Sequence, residues 1–382
     1  MVMVTTEPKT NDVYLVDTTL RDGEQAAGVA FSMDEKMQIA AKLVNMGITE
    51  IEAGTPANGP EEIKTISAIA NSGLDCRVTV WCRAKEEDIK TAALCKTPAI
   101  HISMPTSDIQ LHAMGKDKKW AIKQLMKIVT QAKCNFSFIS VGAQDASRAK
   151  SAFLIEVASL CDDLGVDRLR LADTVGICDP FQTYLAIMKL RSKAPNLAFG
   201  FHGHNDLGMA TANAIAAIRA GVKSVDVTVN GLGERTGNTP LEQIVMAGRV
   251  CTSMDFGIDT RQLLDVSEMV ATASKRTIPY DKPVIGHGAF IHESGIHIRS
   301  LLADEGAYEP FSPDVIGDVN RREYVIGKHS GRASVKYVLA QHGLKICDSK
   351  INELIDKIKE LAIRKKNAVS IDELKELYYA IV

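Results

Sequence analysis

A regular alternation of strand-like and helix-like segments over about the first 250 residues constrains the fold of this chain most tightly. Val13–Leu20 is apolar and strand-like, and Ser32-Met-Asp-Glu35 is a capping box that opens a helix. Along that helix Met37, Ala40, Ala41 and Val44 recur at helical spacing, and Gly47 stops it. The beat repeats through candidate strands at 48–54, 77–83, 99–104, 136–142, 168–173, 198–204 and 224–230. Helices are expected near 60–72, 85–94, 116–133, 147–164, 180–192, 208–220 and 240–251, with Asp179-Pro180 marking one start as N-cap and N1. Eight strands and eight helices predict an α/β fold, a (β/α)8 TIM barrel. A doubly wound sheet shares the local beat, but no Gly-x-Gly-x-x-Gly follows the first strand, so its dinucleotide-binding form loses support.

The beat breaks near Pro279. Residues 281–328 are rich in Gly, Pro and His and read as an irregular linker or lid. A small, mostly helical C-terminal region follows, with Ile351, Leu354, Ile355, Ile358 and Leu361 in a stripe and a second capping box at Ser370–Glu373. The expected division is a catalytic barrel over 1–278, a lid over 279–328 and a helical subdomain over 329–382.

Composition narrows the function. Charge is balanced at −2 and basic residues are scattered, which leaves no nucleic-acid footprint. Met1–Asp12 lacks the apolar core of a secretory signal, and no apolar run approaches the roughly 20 residues of a membrane span. The eight cysteines form no Cys-x-x-Cys pair, as expected of thiols in a reducing cytoplasm.

Chemistry concentrates where a barrel places it, at the C-terminal ends of the strands. Arg21 and Asp22 follow strand one, Gln144 and Asp145 strand five, Asp173 and Thr174 strand six. His202 and His204 end strand seven, and Asn230-Gly-Leu-Gly-Glu-Arg-Thr-Gly-Asn238 follows strand eight. Histidines at i and i+2 on a strand share one face and can grip one divalent ion. For the pair alone, structural and metal-binding roles are evenly matched, and the glycines after strand eight could be only a flexible turn. Barrel closure makes strands seven, eight and one neighbours, so Asp22, His202, His204 and Asn238 can reach one metal. Carboxylate, imidazole and carbonyl donors suit Mg2+, Mn2+ or Zn2+.

Asp17-Thr-Thr-Leu-Arg-Asp-Gly-Glu-Gln25, His202-Gly-His-Asn-Asp206 and the 230–238 loop resemble the signatures of the acetyl-CoA-dependent 2-oxo-acid condensing enzymes. These are the 2-isopropylmalate, homocitrate and citramalate synthases. His292-Glu-Ser-Gly-Ile-His297 and Gly327-Lys-His-Ser-Gly-Arg332 also match, so the likeness spans about residues 12–335. The resemblance implies a divalent metal on Asp22, His202 and His204, with Asn238 nearby, and acetyl-CoA as co-substrate. It implies Arg21 at the carbonyl and developing alkoxide, and Gln25 and Thr174 on the oxo-acid. His297 and Tyr308 match the residues that serve proton transfer at acetyl-CoA, often from a partner subunit, so a homodimer is expected. In such a site the metal acts as a Lewis acid on the ketone, and a base forms the acetyl enolate.

Two departures stand out. Many relatives carry Glu-Asp where this chain has Gln144-Asp145; a glutamine is no proton shuttle, which favours His297 as the base. Gly288 stands where relatives commonly have asparagine. His287 and His292 read as lid residues bonded to backbone, and for His101 a structural role and a substrate contact are evenly matched. Glu52–Ala57 and Tyr308–Pro313 most resemble the homocitrate synthases associated with nitrogen fixation, whose acceptor is 2-oxoglutarate. The additional regulatory domain usual in the leucine-pathway enzymes is not seen by Val382. A second acceptor carboxylate calls for a cation or several donors deep in the barrel, and Arg83 is the candidate, with a surface role equally open. The runner-up acceptors are 2-oxoisovalerate and pyruvate. A metal-dependent retro-aldol lyase ranks below them, because it has no need of the His-Glu-Ser-Gly-Ile-His segment, and a non-enzymatic binding module ranks lower still.

Overall fold

The computed structural model describes the short strand Lys9–Thr10 and residues 13–382, so the reading of Met1–Asp12 lies largely outside the described residues. The chain forms two compact units, Met1–Ile278 and Pro279–Val382.

In the first unit, eight parallel strands close into a barrel. They are β1 Tyr14–Asp17, β2 Glu50–Gly54, β3 Arg77–Arg83, β4 Ala99–Pro105, β5 Phe138–Gln144, β6 Arg168–Asp173, β7 Ala198–Gly203 and β8 Ser224–Val227. Pairing of β8 with β1, from Ser224 opposite Tyr14 to Val227 opposite Asp17, completes the ring. Helices α1 Met33–Asn45, α2 Pro60–Ala70 and α3 Glu86–Ala93 follow the first three strands. The short α4 Asp108–Ala113 and then α5 Lys118–Ala132 follow β4. After β5 to β8 come α6 Ser151–Asp163, α7 Pro180–Arg191, α8 Ala210–Arg219 and α9 Leu241–Thr252, with α10 Leu263–Ser274 beyond.

Two stop–start features match their expected chemistry. Ser32 and Glu35 form a reciprocal capping box on α1, and Asp179 accepts from Phe181 and Gln182 at the start of α7. Three details differ from expectation. β1 ends at Asp17 because a turn begins at Thr18, whose carbonyl accepts from the amides of Arg21, Asp22 and Gly23. β8 ends at Val227, since Asn230 (φ 61°) bends the chain into a 3-10 turn over Val229–Gly231. The helices α4 and α10 were not anticipated; Ser107 caps α4, and α10 buries Leu263, Val266 and Val270.

Period-two alternation explains the layers. One set of strand residues is apolar and buried: Leu15, Ile51, Val80, Ile100, Ile102, Val141, Leu169, Phe199, Val225 and Val227. The alternate set is polar, and two tiers of charge fill the barrel interior. In the first, Arg168 holds both oxygens of Glu50 at 2.8 and 3.0 Å, with Arg77 at 3.0 Å and the Thr79 hydroxyl at 3.0 Å. In the second, Arg170 holds Glu52 at 2.9 Å and Asp226 at 2.5 Å. Most such barrels fill this space with branched aliphatic side chains. Removing one member of a buried pair strands its partner's charge, a cost of about 3–5 kcal/mol.

The second unit contains α11 Gly295–Leu301, α12 Arg332–Gln341, α13 Ile351–Lys365 and α14 Ile371–Tyr379. Ile351, Leu354, Ile355 and Ile358 of the expected stripe are buried together with Val335, Leu339 and Leu374, while Leu361 packs at the margin. Ile326 joins the same cluster and bridges Val369 through the backbone. The Ser370–Glu373 capping box is present. Among the described residues all eight cysteines are free thiols, and no helix is long and apolar enough to cross a membrane.

Candidate active site

The turn on the Thr18 carbonyl sets Arg21 and Asp22 side by side at the C-terminal end of β1. Arg21 donates to Asp22 at 2.8 Å and through Nε to Glu52, and its guanidinium lies 5.5 Å from the Trp81 ring centroid. Both residues are buried. Burial alone raises the Asp22 carboxyl, but Arg21, His202 and His204 outweigh it and hold the group well below the usual carboxylate range. It is an anion whenever the protein is folded at neutral pH.

β7 delivers His202, and His204 follows it on the same face, as alternation requires. Their Nε2 atoms are 3.2 Å apart, and Nε2 of His202 is 3.3 Å from Asp22 Oδ2. Nδ1 of His202 pairs with Asp226 Oδ2 at 3.0 Å, which leaves Nε2 as the lone-pair face. Burial, then the neighbouring His202, lowers His204 to about 4, so it is neutral at neutral pH. The loop after β8 folds back so that Asn238 bridges His204 through the backbone. Its amide donates to Asp22 at 3.3 Å and to the Leu232 carbonyl at 3.0 Å, while its buried Oδ1 has no partner. Glycine is required at Gly237: φ is 88°, and a Cβ there would lie 1.8 Å from the Gly231 carbonyl oxygen. The glycines after strand eight are therefore close-packed positions, not slack.

Donor atoms of Asp22, His202 and His204 all fall within 4.8 Å of one another, the one such group among the described residues. One carboxylate and two imidazoles, with a spare buried amide oxygen beside them, fit a divalent cation with open positions. Asp226 behind His202 supplies the outer carboxylate that orients a ligating imidazole.

Arg21, Asp22, Gln25, Thr174, His202 and His204 line one cleft of about 220 Å³. Its other walls are Trp81, His101, Ser103, Gly142, Gln144, Arg170, Ala172, Glu234 and Arg235. The Thr174 hydroxyl accepts from the Asp145 amide at 2.8 Å, which leaves its own proton to donate. Asp145 is itself occupied, with its carboxylate held by Ser107 at 2.5 Å and by Arg148 at 2.8 Å. His101 has a structural partner, with Nδ1 paired to Ser140 at 2.9 Å, and its ring borders the cleft. Burial, reinforced by Arg170 and Arg168, pushes it well below its usual range, so it is neutral.

Arg83 is not part of this lining. Its guanidinium makes a fork with Asp88 at 2.8 and 2.9 Å, half exposed at the start of α3. Arg170 does line the cleft, and like Asp226 and Trp81 it was not singled out in the sequence, where Glu52 entered only as part of the Glu52–Ala57 segment. The available signal was period-two charge inside apolar strands: Glu50 and Glu52, Arg168 and Arg170, Asp226.

In the second unit, the rings of His297 and Tyr308 stack with centroids 4.0 Å apart. His292 bonds Glu309 at 3.1 Å rather than backbone, and Arg322 clamps the same carboxylate at 2.6 Å. His287 stacks on Tyr280 at 5.7 Å.

Residues 12–270 match the family model described as HMGL-like, and residues 284–366 match that described as homocitrate synthase post-HMGL domain-like. The chain is 43% identical to homocitrate synthase 1 of a Nostoc species, over 96% of this chain and 97% of that one. It is 42% identical to 2-isopropylmalate synthase 2 of Caldanaerobacter subterraneus, over 98% and 97%. With the putative (R)-citramalate synthase of Methanopyrus kandleri it shares 37% identity over 95% and 71%. Among solved structures, the hydroxymethylglutaryl-CoA lyase of Pseudomonas aeruginosa superposes with a TM-score of 0.64 at 18% identity, covering 71% of this chain and 95% of that one. At that identity the likeness is one of fold.

Proposed function

This chain belongs to the HMGL-like family, among the homocitrate, 2-isopropylmalate and citramalate synthases, and on that premise we propose that it joins acetyl-CoA, 2-oxoglutarate and water into homocitrate and CoA. The observation that carries the choice of acceptor is the polarity of the cleft wall. Ser103, His101, Gln144 and Arg170 make that wall polar: Ser103 donates to Gln144 Oε1 at 3.3 Å, and Arg170 is bound to Glu52 and Asp226. A distal carboxylate would accept from the Gln144 amide and draw the Ser103 hydroxyl to itself, whereas a branched aliphatic tail would gain no hydrogen bond from this wall.

Asp22, His202 and His204, with Asn238 alongside, are the residues that would hold a divalent metal. Bound there, such an ion supplies Lewis-acid polarisation of the ketone and charge for the oxo-carboxylate. Gln25 and Thr174 orient that carboxylate, Thr174 through the hydroxyl proton that Asp145 leaves unused. Arg21, held by Asp22 and Glu52, donates to the oxygen that becomes the alkoxide, and its fixed placement favours the developing charge. Gln144 takes no proton. His297, with Tyr308 stacked on its ring, is the base that removes the acetyl methyl proton, contributing about 10²–10⁴-fold. Attack on the ketone forms the carbon–carbon bond, and water then cleaves the thioester to release CoA. The working assembly is a homodimer, with residues 279–328 serving as a lid.

One observation keeps a second reading open: the Caldanaerobacter 2-isopropylmalate synthase is as similar as the homocitrate synthases. Thiol release from acetyl-CoA, measured with 2-oxoglutarate, 2-oxoisovalerate and pyruvate in parallel, separates the acceptors. Release with 2-oxoglutarate alone supports the proposal, release only with 2-oxoisovalerate or pyruvate replaces it, and no release with any acid overturns it.

A further inference from the structure

We propose that Lys36 is a positioning residue that holds the Arg21–Asp22 turn in its metal-binding arrangement through Glu24. The inference rests on the reading of Asp22 as a metal ligand. Lys36 lies in the first turn of α1, on the face that also buries Ile39, Ala40 and Leu43. It is 1% exposed, although lysines are almost never fully buried unless paired. Its ammonium is shared by two carboxylates from different segments: Glu62 of α2 at 2.9 and 3.0 Å, and Glu24 at 2.6 Å.

Each carboxylate has a second anchor. Glu24, two residues beyond Asp22 in the turn Gly23–Gln25, also accepts the Phe31 amide at 2.8 Å. Glu62 also accepts the Thr55 amide at 3.2 Å, just past the end of β2. Glycine at Gly54 makes room for that carboxylate, since a Cβ there would lie 2.0 Å from Glu62 Oε1. The chain Glu24–Lys36–Glu62–Thr55 therefore ties the turn after β1 to the end of β2. A parallel tie runs between Arg21 and Glu52 of the same strand. The Arg21–Glu52 tie anchors the turn just before Asp22 and the Glu24–Lys36 tie anchors it just after, so the turn is held on both sides of that carboxylate. A buried ion pair is weak evidence for a stabilising role, because apolar replacements often serve as well. An ammonium bound to the segment that carries Asp22 and Gln25 is better explained by the demands of geometry.

Lys36→Met strands two carboxylates and can fail to fold, so the decisive variant is Glu24→Gln. It cuts only the tie to the turn, leaves Lys36 neutralised by Glu62, and keeps an oxygen for the Phe31 amide. Equilibrium dialysis with Mn2+ alone, thermal melts and steady-state kinetics are compared with wild type. The expected result is metal affinity weakened about tenfold, kcat reduced, KM for acetyl-CoA unchanged and Tm within a few degrees. Unchanged metal affinity, whether Tm is kept or lowered, overturns the proposal. If wild type itself binds no Mn2+, the failure lies in the assignment of Asp22 as a ligand and not in the strut.

Discussion

Nδ1 of His202 lies 3.0 Å from Oδ2 of Asp226, an oxygen that also holds Arg170 at 2.5 Å. The imidazole N–H donates to the carboxylate, and the lone pair on Nε2 is thereby aimed at Asp22 and His204. In the proposed metal site, this contact would orient His202 as a ligand.

The two histidines should then fail differently. Asp226→Asn keeps an acceptor for His202 but loses the carboxylate charge behind the ring, and metal affinity should weaken by about 10–100-fold. His204→Ala removes a donor outright, and the purified protein should carry no metal after dialysis and turn over no substrate. Metal content by elemental analysis, alongside circular dichroism, checks both; a fully metallated, folded His204→Ala protein contradicts the ligand set.

Asp17 makes a prediction about pH. It is fully buried, and burial pushes its carboxyl up to about 7, against the lowering hydrogen bonds from Thr19. Unfolded, it titrates near 3.8. Between those values the folded chain keeps a proton that the unfolded chain has lost. Its contribution to stability is therefore present below pH ~4 and disappears as pH rises toward ~7, at most about 4 kcal/mol. Asp17→Asn, which mimics the protonated form, should remove that decline. Urea midpoints across this window, taken as the difference between variant and wild type, check it; parallel curves would show that Asp17 is ionised throughout.

Acceptor recognition can be tested on two neighbouring strands, at Arg83 of β3 and Ser103 of β4. Arg83→Ala should leave KM for 2-oxoglutarate within about twofold, because its half-exposed guanidinium is held by the buried Asp88 and does not line the cleft. Ser103→Ala, which removes a donor from the cleft wall, should lower kcat/KM for 2-oxoglutarate about tenfold, the worth of a hydrogen bond to a charged group. The opposite ranking would return the distal carboxylate to Arg83.

The barrel was legible in the sequence because its strands alternate apolar and polar residues and its helices carry proper starts, as at Ser32 and Asp179. What escaped was local: Asn230 takes a positive φ that ends β8 early, and α4 spans only six residues. The site divides in the same manner. Arg21, Asp22, His202, His204 and Asn238 sit in compact motifs whose neighbours announce them. Arg170 and Glu52 lie 118 positions apart and meet only when the sheet closes. Nothing local to α1 marks Lys36 as buried, because the carboxylates that enclose it, Glu24 and Glu62, come from other segments. For Arg83 the sequence left a substrate role and a surface role open, and the second holds because Asp88, five residues later, claims the half-exposed guanidinium.

The account turns on which acid this cleft accepts, and internal competition measures that directly. Limiting acetyl-CoA is supplied with equimolar 2-oxoglutarate and 2-oxoisovalerate in the presence of Mg2+ or Mn2+, and the products are quantified by mass spectrometry. Their ratio is the ratio of the two kcat/KM values. Homocitrate in large excess over 2-isopropylmalate is the predicted result. An excess of 2-isopropylmalate would contradict it.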